Sequence, residues 1–155
     1  MTPVLVLGLG NRLMMDDGVG VAVVEALARL EPPDRLIRYE VGETDFAYSL
    51  ELALEANCLI VVDAVLRQGN PGDVSILPLP EVSSPATGIS LHEAHFLDLL
   101  QQVAPGKAGV LIAIEPYRID LHWGLSPTLN EAFDSIVARV RQVVGRLTPT
   151  QAEGQ

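Results

Sequence analysis

Two adjacent acids, Asp16 and Asp17, follow the glycine loop Gly8-Leu9-Gly10-Asn11, which itself follows the apolar run Val4-Leu5-Val6-Leu7. Strand, glycine loop and acidic helix start, in that order, bring carboxylates to the strand edge where open α/β folds build their sites. Paired acids at such a mouth repel a phosphate and attract a cation. Asp63 ends a second apolar run, Cys58-Leu59-Ile60-Val61-Val62, where a carboxylate is costly unless it is paired or used. His92 falls in the first turn of a helix expected after residues 80–89. Strands of a parallel sheet share one C-terminal edge, so chain direction can bring Asp17, Asp63 and His92 to one crevice. Two carboxylates and an imidazole suit a divalent ion such as Zn(II) or Ni(II), with positions left for water or substrate.

Each of these residues also has a plainer reading. Either Asp16 or Asp17 can cap the following helix, which leaves the other spare. His95 shares a helical face with His92, as a substitute ligand or as a half-buried core residue. His122, beside Trp123, reads as a surface or strand histidine. Cys58 opens a buried strand as a small hydrophobe, with nothing beside it to make it a nucleophile. Ser90 and Ser126 read as helix caps, and no Gly-x-Ser-x-Gly element is present.

The elements that must position these groups follow from periodicity. Strands are predicted at 3–8, 35–41, 58–63, 73–78 and 109–114, the fourth after the turn Gln68-Gly69-Asn70-Pro71-Gly72. The first helix runs from Asp17 to Leu30 on the stripe Val19, Val23, Ala26, Leu27 and Leu30. A second covers about 45–56. A third starts at Ser90, where Ser90 and Glu93 fit a capping box. A fourth has Ser126 as cap, Pro127 at its first position and the stripe Leu129, Phe133, Ile136, Val140, Val143 and Leu147. Residues 80–89 form a loop rich in turn residues. Alternating strands and helices predict a three-layer α/β/α sandwich with a mainly parallel twisted sheet. One domain over 1–147 and a disordered tail at 148–155 are expected.

Composition excludes some partners. With 20 acids against 10 bases the formal charge is −10, which disfavours nucleic acid and anionic membranes. No apolar run reaches the roughly 18 residues of a membrane span, and the first apolar run is too short for a secretion signal. The one cysteine excludes an internal disulfide and suits a reducing cytoplasm.

Gly8-Leu9-Gly10-Asn11, Asp16-Asp17-Gly18-Val19-Gly20, Val62-Asp63-Ala64, Ser90-Leu91-His92-Glu93 and Gly124-Leu125-Ser126-Pro127 together resemble the hydrogenase maturation protease family. The five elements occur in the family's order, from residue 4 to about residue 145. The resemblance implies an endopeptidase that removes a short C-terminal extension from the large-subunit precursor of a nickel-iron hydrogenase after nickel insertion. It implies a metal-binding and catalytic set of Asp17, Asp63 and His92, nickel supplied by the substrate precursor, and no permanent cofactor. The first ligand is often glutamate in relatives, so Asp17 is shorter by one methylene. Relatives often carry two glycines where Val41-Gly42-Glu43-Thr44 has one, so Glu43 bears on substrate approach or nickel sensing. A cytoplasmic monomer, metal-free until it meets the nickel-loaded precursor, is expected.

Three rivals share parts of this pattern. A receiver-type signalling domain also has paired acids and a strand-end aspartate, but it needs a lysine after the last strand, where this chain has Glu115-Pro116. A dinucleotide-binding module would need a glycine at Leu13. A non-catalytic protein that only checks nickel loading would use the same residues, and turnover separates it from a protease.

Overall fold

The computed structural model describes residues 2–79 and 91–149, with the side chains of 91–95 outside that description. The 80–89 loop, the Ser90 cap and residues 150–155 of the expected tail therefore lie outside the described residues. Five strands are joined in the order β2-β1-β3-β5-β4: β1 Thr2–Leu9, β2 Ile37–Glu43, β3 Ala56–Ala64, β4 Val74–Pro78 and β5 Gly109–Ile114. All neighbours are parallel except the edge pair β4 and β5. The helices are α1 Val19–Leu30, α2 Phe46–Glu55, α3 Leu91–Val103 and α4 Pro127–Leu147.

Alternation along β1 divides the core in two. Val4 and Val6 join Ile60, Val62 and residues of α1 and α4 on one face. Leu5, Leu7 and Leu9 join Leu59, Val61 and residues of α2 and α3 on the other. This is the three-layer α/β/α sandwich expected from the sequence. Asp63, two residues beyond Val61, falls on the α2/α3 side of β3.

The chain leaves β1 through α1 to β2 on one side, then returns through α2 to β3 on the other. Adjacent strand ends thereby open a crevice between β1 and β3, the switch point at which such sheets bind ligands. Phe46 and Phe96 meet with ring centroids 6.1 Å apart. Because Phe46 opens α2 just past the end of β2, this contact puts the start of α3, and with it the backbone of His92, toward the same edge.

The structure differs from the sequence expectation in four local features. A 3-10 turn at Met15–Gly18 precedes α1, which starts at Val19 rather than Asp17. Strand two lies two residues further on than 35–41, because a bulge opposite Gly8 and Leu9 absorbs Gly42 and lets pairing continue to Glu43. Leu30 and Leu147 are exposed, past the reach of their neighbours. The buried stripe of α4 gains Val137 and Val144.

Asp16 caps neither α1 nor the turn before it. Its side chain is fully buried and joins distant segments. Oδ2 accepts from Tyr117 N at 3.0 Å, Arg118 N at 2.9 Å and Ser126 Oγ at 2.8 Å, while Oδ1 accepts from Ser126 N at 2.7 Å. Ser126 Oγ in turn accepts from Leu129 N at 3.2 Å, as the α4 cap. The carboxylate thus occupies the positive end of the α4 dipole and fastens the loop after β1 to the loop after β5.

Asp16→Ala would leave three backbone N–H groups and a hydroxyl without this acceptor. The expected loss is about 3 kcal/mol or more, read as a lower urea midpoint with an unchanged m-value; an unmoved midpoint would remove Asp16 from this role. Gly20→Ala is expected to destabilise too, since its Cβ would stand 2.2 Å from Val62 O and 2.9 Å from Asp63 Cα. Overpacking of this kind costs about 1–3 kcal/mol, and a thermal melt measures it.

Candidate functional site

The loop after β1 is a tight knot. Gly10, at φ 134°, donates its N–H to Glu43 O at 3.0 Å. Asn11 Oδ1 accepts from Leu13 N at 2.9 Å, a side-chain turn that Asn favours. Asn11 N donates to Asp17 Oδ2 at 2.9 Å, so the backbone before the loop's bend orients the second acid after it. Asp17 is half-buried and Asp63 fully buried. Asp63 Oδ1 accepts from Ala64 N at 2.7 Å.

Gly10 is where the two meet. A Cβ there would lie 2.0 Å from Asp17 O and 3.5 Å from Asp63 Oδ1. The φ value and the crowding both restrict this position to glycine. The backbone carbonyl of Asp17 and the carboxylate of Asp63 therefore both lie against Gly10, while the Asp17 carboxylate is held one residue on, at Asn11 N, beside the same β1/β3 crevice. The backbone of His92 is at the same edge in the first turn of α3, and its side chain lies outside the described residues, as does that of His95. Among the described residues no three His, Cys, Asp or Glu side chains group so as to hold a metal by themselves. Two carboxylates in such a crevice can accept a proton from water or contribute part of a hard cation's ligand set.

The other candidates separate from this site. Cys58 pairs in register with Val4 near the start of β3, at the opposite end of the sheet. Burial pushes its thiol up, only partly offset by the charge of Lys107, which leaves less of the nucleophilic thiolate. Burial lowers the Lys107 pKa, and its ammonium donates to Ala56 O at that same end. The place after β5 where a receiver domain needs lysine is held by Glu115, buried and accepting from Arg67 N at 2.8 Å. His122 is exposed and bridges Met14 through the backbone, as its surface-or-strand reading requires.

Sequence reasoning passed over Arg12. Its guanidinium joins Glu25 on α1 and, at 2.7 Å through Nε, Glu43 at the end of β2. Partial burial works against its charge, but the bonds and charges of Glu25 and Glu43 prevail and hold its pKa above the usual arginine value. A base inside a glycine loop of so acidic a chain was the available signal. Glu43, the departure noted in Val41-Gly42-Glu43-Thr44, has φ 52°, the left-handed conformation that glycine adopts without penalty.

Comparison with known proteins bears on the family and the fold. Residues 21–143 match the family model described as hydrogenase maturation protease. The chain is 31% identical over 161 residues to the hydrogenase 2 maturation protease of Escherichia coli K12, covering 96% of this chain and 97% of that one. It is 34% identical to the hydrogenase expression/formation protein HoxM of Azotobacter vinelandii, over 88% of this chain and 73% of the relative. Among solved structures it superposes on the hydrogenase maturating endopeptidase HybD of E. coli with a TM-score of 0.77 at 26% identity, covering 94% and 93% of the two chains. The corresponding values for HybD of Thermococcus kodakarensis are 0.70 and 27%, over 92% and 99%. By sequence and by fold, the chain belongs to the hydrogenase maturation protease family, hydrolases that act on peptide bonds.

Proposed function

We propose that this protein removes the C-terminal extension from the large-subunit precursor of a nickel-iron hydrogenase after nickel insertion, and that Asp17, Asp63 and His92 read the nickel held by that substrate. The observation that carries the reading is the placing of two carboxylates along Gly10-Asn11 at the β1/β3 crevice, Asp63 against Gly10 and Asp17 on Asn11 N. The start of α3 at the same sheet edge supports His92 as the third member. Nickel is part of the substrate here, and the protease brings no resident cofactor. Joining these side chains to the substrate's metal fixes the scissile peptide against the crevice, and most of the gain is orientation. Water then attacks the scissile carbonyl carbon. One of the two carboxylates takes the water's proton, and the departing amine receives a proton as the C–N bond breaks. The protein acts as a cytoplasmic monomer that is metal-free between turnovers. Its one cysteine suits a reducing compartment, and among the described residues no helix is long and apolar enough to cross a membrane.

The test is cleavage of the purified precursor from the same organism, with and without nickel, followed by intact mass. The expected result is loss of a C-terminal peptide from the nickel-loaded form only. Asp63→Asn and His92→Ala should each slow this by about a hundredfold or more while melting like the parent. Wild-type rates in both variants would falsify the assigned set. A stable complex with loaded precursor and no loss of mass would make the protein a nickel-checking binder instead.

A further inference from the structure

Two cavities lie side by side along the loop after β1. The larger, about 480 Å³, is lined by Gly10, Asn11, Leu13, Glu43, Thr44 and Trp123 among others. The smaller, about 150 Å³, lies between Met15, Ala22, Glu25, Trp123 and Leu125. Arg12 and Trp123 line both, so the two form one groove with these side chains at the join. One end opens on Gly10, the residue against which Asp17 and Asp63 lie.

Three features distinguish this groove from an ordinary surface depression. Its lining carries large apolar side chains held in water: Leu13 is 53% exposed and Trp123 67%. These do not hang on a loose loop. Met15 N donates to His122 O and His122 N to Leu13 O, both at 2.9 Å, and Asp16 anchors the same two loops from below. Backbone strain is concentrated there as well. Of the non-glycine residues described with positive φ, Met15, Glu43 and Gln68, the first two line the groove, and strain of this kind gathers at binding sites. The charge of Arg12 is met by two glutamates, so the lining is neutral to slightly acidic.

We propose that this groove is the track for the substrate chain beside the scissile bond, with one large apolar side chain of that segment packed on Trp123. The inference rests on the proteolytic reading above and adds where and how the polypeptide is held. The occupant is an extended segment, neutral or basic, of the precursor. An acidic segment would meet Glu25, Glu43 and the chain's net charge of −10. Preformed apolar surface on a braced loop binds with little ordering loss, and tryptophan is the side chain most often dominant at such contacts.

The chain has a single tryptophan, so full-length protein grown with 5-fluorotryptophan gives one fluorine resonance, from residue 123. Nickel-loaded precursor is added above its KM, so that the protease stays occupied. Packing of a substrate side chain on the ring predicts a changed chemical shift and a collapse of the H2O/D2O isotope shift. In kinetics, Trp123→Ser should raise KM about tenfold or more with kcat little changed, and Trp123→Phe should recover most of it. Leu13→Ser should act in the same direction, with an unchanged melt because Leu13 too is exposed. A precursor that is cleaved while the resonance keeps its full isotope shift, or a Trp123→Ser variant with parental KM, overturns the track and leaves the protease reading standing. A loaded precursor that is neither bound nor cleaved removes the protease reading, and the track with it.

Discussion

The buried carboxylate of Asp16 is the contact on which the site's arrangement depends. It is the point where the loop after β1, the loop after β5 and the first turn of α4 meet, and its oxygens are spent on donors from residues 117, 118 and 126. Once Asp16 is committed inward, its neighbour Asp17 is turned to the other side of the 3-10 turn, half-exposed and held by Asn11 N. Two adjacent like charges are thereby separated into a structural acid and the acid of the candidate site. The division needs no difference in residue type, only a difference in which donors each one meets.

Close backbone approach does the remaining positioning. Gly20 lets the first turn of α1 press on Val62 and Asp63, and Gly10 lets the loop fold back over Asp17. Side chains at either place would push α1 or the loop away from β3 and open the crevice. The glycines of this loop therefore bring carboxylates and backbone together, a different use from cradling a phosphate.

The strands at 3–8 and 109–114 and the Ser126-Pro127 helix start are legible in sequence because each rests on local pattern: apolar runs, caps and proline. The α/β/α class follows from their alternation. Asp63 stands out since an acid ending a buried run has few structural excuses. The structural role of Asp16 is not legible, because donors about a hundred residues away decide it; Asp17 is legible as the spare acid, but not which of the two adjacent acids would be spare. The displaced second strand has the same kind of cause, as a bulge formed with β1 moves its end past Gly42. Trp123 looks unremarkable beside His122 until the pairing of Met14 with His122 brings it over the glycine loop.

Arg12 and Glu43 connect backbone strain to the charge of the groove. Glu43 holds a backbone conformation that costs a non-glycine residue about 1–3 kcal/mol, and two contacts oppose that cost. Its carbonyl accepts from Gly10 N and its carboxylate accepts from Arg12. A glycine would satisfy the backbone with no strain, yet it would leave Arg12 paired with Glu25 alone. The lining beside the carboxylates would then be less negative by one charge. The glutamate thus shifts the groove from near-neutral to slightly acidic. On the proposed track, that charge would bear on which polypeptide is admitted, at a place beside the Gly10 crevice where bond cleavage is proposed.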